Sequence, residues 1–270
     1  MEDADMEIKF LGQCGFYLED EDLSIVIDPV LSDLHENGQS IMNYPPVMKP
    51  GDIAPDFCFC THDHIDHLDI DTVCGLATTN DKTIFVIPSG CRKILKERGI
   101  DDARIITFDD GESKVIARGG EVFAIKDTSK SLHENSIEVT AYSTAHPDHH
   151  LDSDGLDRNL LYSILWNGHR YVHLGDTYRT DRLVKSLKKL GHIDVLFAPI
   201  NGRDDEREAR GIIGNLSPRE AALLANELKV SLVYPMHFDM VKGNTADPQD
   251  FAREMESLGT KTEYVIPKRD

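Results

Sequence analysis

Short apolar runs alternate with polar positions along most of the chain, and this pattern predicts β-strands rather than long helices. Each run is bounded by Gly, Pro, Asp or Asn, which are residues that favour turns. The first half of the chain is richest in such runs, and the second half adds four more. The predicted strands are EIKFLG, GFYLED, SIVIDP, DFCFCTH, TIFVIPS, RIITF, GEVFAIK, IEVTAYST, LLYSILW, RYVHLGD, DVLFAPI and SLVYPMH.

Helical spacing of apolar residues is found in five segments, and three of them carry clear start or stop signals. Ser217 and Glu220 are expected to form a capping box around a proline at the first helical position. A second helix is expected to begin after a cap at Thr180 or Asp181, and a third is expected to end at Gly259. The predicted helices are GCRKILKERGI, RTDRLVKSLKKLG, LSPREAALLANELK, DPQDFAREMESLG and a stretch around Ile70 to Leu76.

The order of these elements predicts an α/β fold in which two mixed sheets are covered by helices. No low-complexity linker or internal repeat divides the sequence, so a single domain spanning residues 1–270 is expected. Residues 143–159 and 201–215 form two long polar loops, and long loops in compact domains often carry function. For residues 201–215, an ordinary solvated loop is the alternative interpretation.

The charge of the chain limits its partners. The formal net charge is −19, from 29 basic and 48 acidic residues. Such a surface repels nucleic acid and anionic membranes at long range, so neither is expected as a partner. A small anionic substrate remains compatible with this charge if a local basic pocket holds it. A homo-oligomer is also left open.

Several features predict a cytoplasmic protein. The first ten residues, MEDADMEIKF, lack the apolar core of a signal peptide. No apolar stretch reaches the length of about 18 residues that predicts a membrane span. The five cysteines include no C-x-x-C pair, which indicates reduced thiols. Cys58 and Cys60 alternate with Phe57 and Phe59, so they are expected to be buried in a strand.

The stretch FCFCTHDHIDHLD places many metal-binding side chains directly behind a predicted strand. His62, His64, Asp66 and His67 occupy four of six consecutive positions, and a loop that leaves a strand end can direct such side chains into one cleft. Burial without a cation would leave these polar groups without partners. Imidazole and carboxylate groups together suit zinc, iron or manganese. The sequence therefore predicts a metal site at this strand end.

The H-x-H-x-D-H pattern resembles the signature of the metallo-β-lactamase superfamily. That family folds as an αββα sandwich with one or two metal ions at one edge of its sheets. Its remaining site residues are matched at strand ends in the expected order: Asp28 in IVIDP, His146 in AYSTAHP, Asp176 in YVHLGDT and His237 in LVYPMHFD. The resemblance spans residues 7 to about 265 and implies a metal-dependent hydrolase.

The resemblance also implies a role for each of these residues around two divalent cations, zinc or manganese. The first cation would be held by His62, His64 and His146. The second would be held by Asp66, His67 and His237. Asp176 would bridge the two cations, and Asp28 would support the histidine loop. Two cations lower the pKa of a shared water molecule, which Asp66 would orient and whose proton it would shuttle.

Shorter segments are similar to the L-ascorbate-6-phosphate lactonase group of this superfamily. They are LGQCGFYLE, THDHIDHLD, DGLDRN, GDTYRTD, ARGIIGNLSP and PMHFD. This resemblance implies carbohydrate metabolism, in which the protein opens the lactone ring of a phosphorylated sugar acid. At the position of His146 the lactonase is expected to carry an acidic residue. This departure favours zinc over manganese, or a different substrate.

Arginines give a separate argument for an anionic substrate, because a guanidinium group suits a phosphate monoester. Four of them lie in loops that follow or face the predicted ligand strands: Arg158, Arg179, Arg203 and Arg210. Arg179 and Arg210 are the preferred substrate-binding pair, since both lie in segments similar to the lactonase. Ordinary surface charges are the alternative.

Three other functions are alternatives to the lactonase. A phosphodiesterase or nuclease of the RNase Z type is the main alternative, but the acidic charge and the lack of a basic exosite arm disfavour it. An iron-bound oxygen or redox protein is the second, and its familiar form needs a fused flavodoxin-like domain. A non-catalytic metal scaffold is the third, although such a scaffold needs only a closed structural site.

The remaining histidines are expected to have other roles. His149 and His150 follow His146 closely, and contact of either with metal or substrate is left open. His173 is expected to pack within the Asp176 strand. Surface or loop positions are predicted for His35, His133, His169 and His192.

Overall fold

The computed structural model describes residues 6–125 and 135–269, which form sixteen strands and six α-helices. The strands are β1 (Glu7–Gly12), β2 (Gly15–Glu19), β3 (Ser24–Ile27), β4 (His35–Glu36), β5 (Gln39–Ser40), β6 (Phe57–Phe59), β7 (Ile84–Pro88), β8 (Ile105–Phe108), β9 (Ser113–Ala117), β10 (Val122–Ala124), β11 (Ser136–Ser143), β12 (Leu160–Trp166), β13 (His169–His173), β14 (Val195–Pro199), β15 (Leu232–Met236) and β16 (Glu263–Tyr264). The α-helices are α1 (Ile70–Thr79), α2 (Arg92–Glu97), α3 (Asp181–Lys189), α4 (Asp205–Ala209), α5 (Pro218–Leu228) and α6 (Pro248–Leu258). Short 3₁₀ helices lie at Pro50–Asp52, Ser89–Cys91 and Asp102–Arg104.

Two large sheets contain most of the strands. The six-stranded sheet has the order β1-β2-β3-β6-β7-β8, and the eight-stranded sheet has the order β10-β9-β11-β12-β13-β14-β15-β16. In the first sheet the pairs up to β3 are antiparallel and the later pairs are parallel. In the second sheet the pairs are antiparallel as far as β13 and parallel beyond it. Both sheets are therefore mixed, as predicted, and β4 and β5 form a separate hairpin.

Alternation along β6 shows how the first sheet separates two apolar cores. Phe57 and Phe59 belong to the larger core, which contains residues of both sheets and of α3, α5 and α6. Cys58 and Cys60 belong to a smaller core that includes residues of α1 and α2. All four side chains are buried, as predicted for this strand. The layers are therefore helix, sheet, sheet and helix, which is the expected αββα arrangement.

Local capping signals start and end the helices where the sequence predicts. Ser217 and Glu220 form the capping box of α5, with the Ser217 N–H donating to the Glu220 carboxylate at 2.9 Å. Thr180 caps α3, and Gly259 ends α6 in the left-handed region. Residues 201–215 differ from the predicted long polar loop, because they contain α4. Its five residues are too few and too charged to show an apolar period.

Disulfide bonds and membrane-spanning helices are both absent from the part of the chain that the structure describes. All five cysteines are free, and four of them are buried. No described helix combines the length and the apolar character that crossing a bilayer requires. The free cysteines agree with the predicted reduced thiols.

Candidate metal centre

The predicted ligand loop follows β6 and folds into a tight turn. The carbonyl oxygen of His64 accepts hydrogen bonds from the N–H of His67 at 3.0 Å and from that of Leu68 at 2.8 Å. This turn gathers the imidazole rings, because the ring centroid of His62 lies 4.5 Å from that of His64 and 4.1 Å from that of His67. Asp69 then caps α1 by accepting two backbone N–H groups. The local sequence thus fixes three histidines in one cluster.

Three more strand ends bring their side chains to this cluster. His146 lies three residues after β11, Asp176 three residues after β13, and His237 directly after β15. The close approach of the Asp176 loop depends on Gly175, which has a φ of +58°. A Cβ at this glycine would lie 2.8 Å from Thr61 Cβ. Residues from both sheets therefore meet at a single site.

The donor atoms of these side chains form two groups that share Asp176. Within each group all donor atoms lie within 4.8 Å of one another, a spacing that could hold a metal ion. The first group is His62, His64, His146 and Asp176. The second group is Cys14, His67, Asp176 and His237. Asp66, expected in the second group, lies beside it, with Oδ2 3.4 Å from His237 Nε2.

Buried polar atoms in this cluster fit a metal ion better than they fit mutual hydrogen bonds. His62 Nε2, His67 Nε2 and Asp176 Oδ1 have no hydrogen-bond partner among the described residues. His67 Nε2 and Asp176 Oδ1 lie only 3.1 Å apart, yet they form no hydrogen bond. Each such buried group costs about 1–3 kcal/mol, which a cation bound among them would offset. Imidazole and carboxylate are ligands that zinc accepts, so the residues present fit a divalent cation.

Asp28 supports the ligand loop directly. Its Oδ2 accepts from His67 Nδ1 at 2.7 Å, and its two oxygens also accept from the N–H and the hydroxyl of Thr61, each at 2.7 Å. Because His67 Nδ1 must donate to this carboxylate, its Nε2 faces the donor group without a proton when a metal ion is bound. This is the position that the resemblance implies for Asp28.

Burial sets the protonation state of the first donor group. It lowers the pKa of His62 and of His64, and the charge of His67 lowers that of His62 further. For His146, burial lowers the pKa to about 4. All three imidazoles are therefore neutral at pH 7, and the neutral form is the one that binds a metal ion.

Carboxylates set the protonation state of the second donor group. Burial would lower the pKa of His237, but Asp176 outweighs burial and the pKa is raised to about 9. Burial would also lower the pKa of His67, but the negative charges of Asp176 and Asp28 raise it well above its usual value. Burial would raise the pKa of Asp176, whereas the positive charge of His67 lowers it. Without a cation, this group is held by attraction between imidazolium and carboxylate.

Gln13 is a site residue that the sequence analysis missed. It lies in the turn between β1 and β2, and its Nε2 donates to Asp66 Oδ2 at 2.7 Å. The backbone carbonyl oxygen of Gln13 accepts from the N–H of His237 at 2.8 Å. Burial would raise the pKa of Asp66, but the positive charges of His67 and His237 lower it. The turn stood in the lactonase-like segment LGQCGFYLE, and glutamine is not a residue type that signals a metal site.

Cys14 is a second missed residue, next to Gln13 in the same turn. It is fully buried, and its Sγ belongs to the second donor group. Burial, followed by the charge of Asp176, raises the pKa of its thiol. Its position between Gly12 and Gly15 marked a tight turn in the sequence, but nothing there linked it to residues more than fifty positions away.

A cavity of about 600 Å³ borders both donor groups. Five site residues form part of its wall: His64, Asp66, His146, Asp176 and His237. Aliphatic side chains form another part: Ile41, Ile65, Ile212, Ile213 and Val241. Two basic residues, Arg210 and Lys242, also line it, together with the acidic Glu36 and Asp63. The cavity therefore offers a molecule both apolar contacts and positive charge beside the donor groups.

Arg210 reaches the cavity from the carboxyl end of α4. Its guanidinium forms no hydrogen bond or ion pair with any described residue, and it lies against Gly243, where a Cβ would be 2.8 Å from Nη2. The segment that carries it is anchored, because Asn201 Nδ2 donates to Asn244 Oδ1 at 2.9 Å. Arg210 therefore lines the cavity beside the donor groups, and its contact with a substrate stays a prediction.

The structure does not bring Arg179 to this cavity. Its Nη2 donates to Glu227 Oε2 on α5 at 2.7 Å, and it is not among the residues that line the cavity. Because Glu227 already neutralises this guanidinium, the geometry gives no support to Arg179 as a substrate contact. Arg203 is similarly paired, at 2.7 Å from Glu220 Oε1.

A smaller cavity of about 250 Å³ borders His62 and His146. Arg158 and His150 lie in its wall. Arg158 forms an ion pair with Asp63, and His150 Nε2 donates to the carbonyl oxygen of His146 at 2.7 Å. His150 therefore lies near the site without belonging to either donor group.

The other histidines lie outside the donor groups as well. His149 is exposed, with Nδ1 2.9 Å from Ser143 Oγ. His173 is buried and donates from Nε2 to the Cys14 carbonyl oxygen at 2.9 Å, which confirms its predicted packing role. His133 lies outside the described residues. The predicted exposed positions are found for His35, His169 and His192.

Comparison with protein families identifies the fold. Residues 24–238, well over half of the chain, match the family described as the beta-lactamase superfamily domain. The chain belongs to the metallo-β-lactamase superfamily. This membership confirms the resemblance drawn from the H-x-H-x-D-H pattern at the level of the superfamily.

A protein relative and two solved structures resemble the chain over nearly all of its length. A UPF0173 metal-dependent hydrolase from Pyrobaculum islandicum is 26% identical over 272 residues, with 98% of each chain covered. The metallo hydrolase Igni18 from Ignicoccus hospitalis has a TM-score of 0.65 at 19% identity, covering 98% of this chain and 96% of its own. CmlA, a diiron β-hydroxylase from Streptomyces venezuelae, has a TM-score of 0.68 at 16% identity, covering 98% of this chain and 53% of its own. These structures share the fold, and the fold alone does not decide the reaction.

Proposed function

We propose that this protein is a metal-dependent hydrolase that opens the ring of a phosphorylated sugar lactone such as L-ascorbate 6-phosphate. One observation carries the proposal: two metal-type donor groups sharing Asp176 border a cavity that also contains the unpaired guanidinium of Arg210. The name of the Pyrobaculum relative, a metal-dependent hydrolase, supports the reaction class. The segments similar to the lactonase group support the substrate class.

Each of the two donor groups would hold one divalent cation, zinc or manganese. His62, His64 and His146 would hold the first, and Asp66, His67 and His237 the second, with Asp176 common to both donor groups. When bound, such cations supply an activated water and polarise the carbonyl oxygen that it attacks. Asp66 stays ionised because its pKa is lowered, so it can accept a proton at the cavity wall. Gln13 orients this carboxylate through its 2.7 Å hydrogen bond.

Arg210 would bind the phosphate group of the substrate. A guanidinium without a protein partner can donate to phosphate without first breaking an ion pair. The aliphatic wall of the cavity would contact the carbon skeleton of the sugar acid. Under this proposal the partner is a small anion in the cytoplasm, and neither nucleic acid nor membrane is needed, in keeping with the net charge of −19.

A paired substrate screen tests this function. Protein purified without chelators would be analysed for bound metal and then assayed on sugar-phosphate lactones, on the same lactones without phosphate and on bis(p-nitrophenyl) phosphate. We expect lactone hydrolysis that a chelator abolishes and that added zinc or manganese restores. Faster turnover of the phosphodiester than of any lactone would favour the RNase Z type of activity and contradict the lactonase.

A further inference from the structure

We propose that Cys14 supplies a thiolate ligand to the second cation and thereby makes that site select softer metals. The inference rests on the proposed function only in assuming that cations occupy the two donor groups. It assigns a role to a residue outside the H-x-H-x-D-H pattern and outside the strand ends that carry the other donors. Cys14 instead lies in the turn between β1 and β2.

The geometry places Cys14 Sγ among the donor atoms of His67, Asp176 and His237, all within 4.8 Å of one another. Two of these neighbours carry buried atoms without hydrogen-bond partners among the described residues, His67 Nε2 and Asp176 Oδ1. Cys14 is itself fully buried, and its Sγ makes no hydrogen bond to any described group. Three donor atoms of different chemical types, none with a hydrogen-bond partner among the described residues, therefore belong to residues of one donor group.

The turn holds this side chain in place. The carbonyl oxygen of Cys14 accepts from His173 Nε2 at 2.9 Å, and the preceding residue, Gln13, accepts from the N–H of His237 at 2.8 Å. Gln13 has a φ of +51°, so the turn has a defined left-handed step directly before the cysteine. These backbone contacts thus tie the turn to β13 and to the residue that follows β15.

Cys14 is the sulfur donor of the second group. The other donors of that group are His67, Asp176 and His237, and zinc in proteins binds sulfur, nitrogen and oxygen ligands. Asp66 lies beside the group, with Oδ2 3.4 Å from His237 Nε2, and it accepts the Gln13 hydrogen bond at 2.7 Å. Cys14 would add a sulfur ligand to these nitrogen and oxygen donors. Binding would replace the thiol proton, which passes to solvent, by a bond from sulfur to the cation, with no change in oxidation state.

A thiolate ligand also predicts metal preference. Sulfur ligands favour zinc and cobalt over manganese and magnesium, which prefer oxygen. The first group has only imidazole and carboxylate donors. The two sites should therefore differ, with the second discriminating more strongly against manganese.

The other cysteines provide matched controls. Cys58 is as fully buried as Cys14, but it belongs to the smaller core beside α1 and α2 and to neither donor group. Removal of its sulfur therefore probes the loss of a buried thiol without affecting the metal site. Cys14→Ala and Cys58→Ala form the test pair, and Cys14→Ser retains a polar atom in case the alanine variant fails to fold.

Cobalt(II) substitution tests the proposal without reference to catalysis. Metal-free protein would be titrated with cobalt(II), and the thiolate-to-cobalt charge-transfer absorption would be recorded in the near ultraviolet. We expect this band in the wild type and in Cys58→Ala, and its loss in Cys14→Ala and Cys14→Ser. Zinc affinity at the second site should fall by about tenfold or more in both Cys14 variants, while the first site keeps its ion. Circular dichroism would establish that each variant is folded.

Absence of the band from folded, cobalt-loaded wild type, or its persistence in a folded Cys14 variant, would overturn the proposal and leave Cys14 as a packing residue. The band is independent of turnover. A protein with the band but without lactone hydrolysis would therefore retain the Cys14 ligand and refute the lactonase. An active lactonase without the band would support the proposed function and refute the Cys14 ligand.

Discussion

Gln13 Nε2 donates to Asp66 Oδ2 across 2.7 Å, which joins the turn between β1 and β2 to the histidine loop after β6. The backbone carbonyl oxygen of the same glutamine accepts from the N–H of His237. Gln13 is completely buried. Its side chain and its backbone together therefore fix a carboxylate relative to a metal-type donor from the other sheet. This arrangement separates orientation, which Gln13 provides, from proton transfer, which Asp66 would provide.

Asp66→Asn and His64→Ala should each abolish hydrolysis while the fold stays intact. An asparagine can still accept the Gln13 hydrogen bond, but its amide cannot accept a proton. The loss of activity would therefore come from the missing carboxylate and not from a displaced side chain. His64 lies in the cavity wall and is outside the apolar cores, so removal of its imidazole deletes a donor atom without opening a core. Losses of several orders of magnitude in kcat/KM are expected, since one metal-site group contributes to both nucleophile and charge stabilisation.

Steady-state kinetics together with circular dichroism would check this prediction. Asp71→Asn is a suitable control, because Asp71 is an exposed aspartate in the first turn of α1, and it should behave as wild type. Activity of either site variant within about threefold of wild type would count against the mechanism.

Asp28→Asn should weaken the second cation site more than the first. The asparagine can adopt the left-handed backbone found at Asp28, where φ is +45°. It would lose the carboxylate charge that accepts from His67 Nδ1 at 2.7 Å. Loss of such a supporting contact typically costs about 10–100-fold in metal affinity. Zinc titration with two resolved sites would measure the difference.

Asp69→Asn separates this effect from loop stability. Asp69 is also a buried aspartate, but it caps α1 and belongs to neither donor group. It should lower the thermal stability without a preferential loss of the second cation. If both variants lost both cations equally, the contact with His67 would not be the cause.

The strand-end ligands could be predicted because their signals are local. Apolar alternation with turn residues at each boundary located β6, β11, β13 and β15, and the first ligand-type residue after each of these strands lies within three positions of its end. The pairing of the histidines with Asp176 then follows from two sheets meeting at one edge. Helix boundaries were equally local, since the capping box at Ser217 depends on residues three apart.

Gln13, Cys14 and the partner of Arg179 could not be predicted in the same way. Gln13 meets Asp66 across 53 positions of sequence, and Arg179 meets Glu227 across 48. Such contacts depend on how the elements pack, and a buried cysteine or glutamine is ordinarily a packing residue. Arg179 lies three positions after Asp176, yet its side chain turns toward α5.

Cation binding to the two donor groups should release different numbers of protons at pH 7. His62, His64 and His146 have lowered pKa values, about 4 for His146, so the first group is already neutral. His67 and His237 have raised pKa values, about 9 for His237, so the histidines of the second group must give up about two protons to bind a cation, and Cys14 adds a third if it binds as a thiolate. Affinity for the second cation should therefore rise with pH through the neutral range. Affinity for the first should be nearly constant from pH 7 upward, because its three histidines are already neutral there.

Calorimetric titration of the metal-free protein with zinc, in two buffers of different ionisation enthalpy, counts the protons released at each step. Two binding steps that release equal numbers of protons would contradict the assignment of charge to the second group. An affinity for the second cation that falls as the pH rises from 6 to 8 would contradict the expected direction of the pH dependence.

Arg210→Ala should raise KM for a phosphorylated lactone and leave the same lactone without phosphate nearly unchanged. The metal ligands and Asp66 are untouched by the substitution, so kcat should hold. A charge-assisted hydrogen bond is worth about 1.5–3 kcal/mol, and the exposure of Arg210 to solvent favours the lower end, about tenfold in KM. Arg179→Ala is the matched control, because its guanidinium is paired with Glu227 outside the cavity, and it should alter neither substrate's KM. Equal losses on both lactones in Arg210→Ala would mean that this arginine supports the structure of the cavity wall, and the phosphate contact would have to be abandoned.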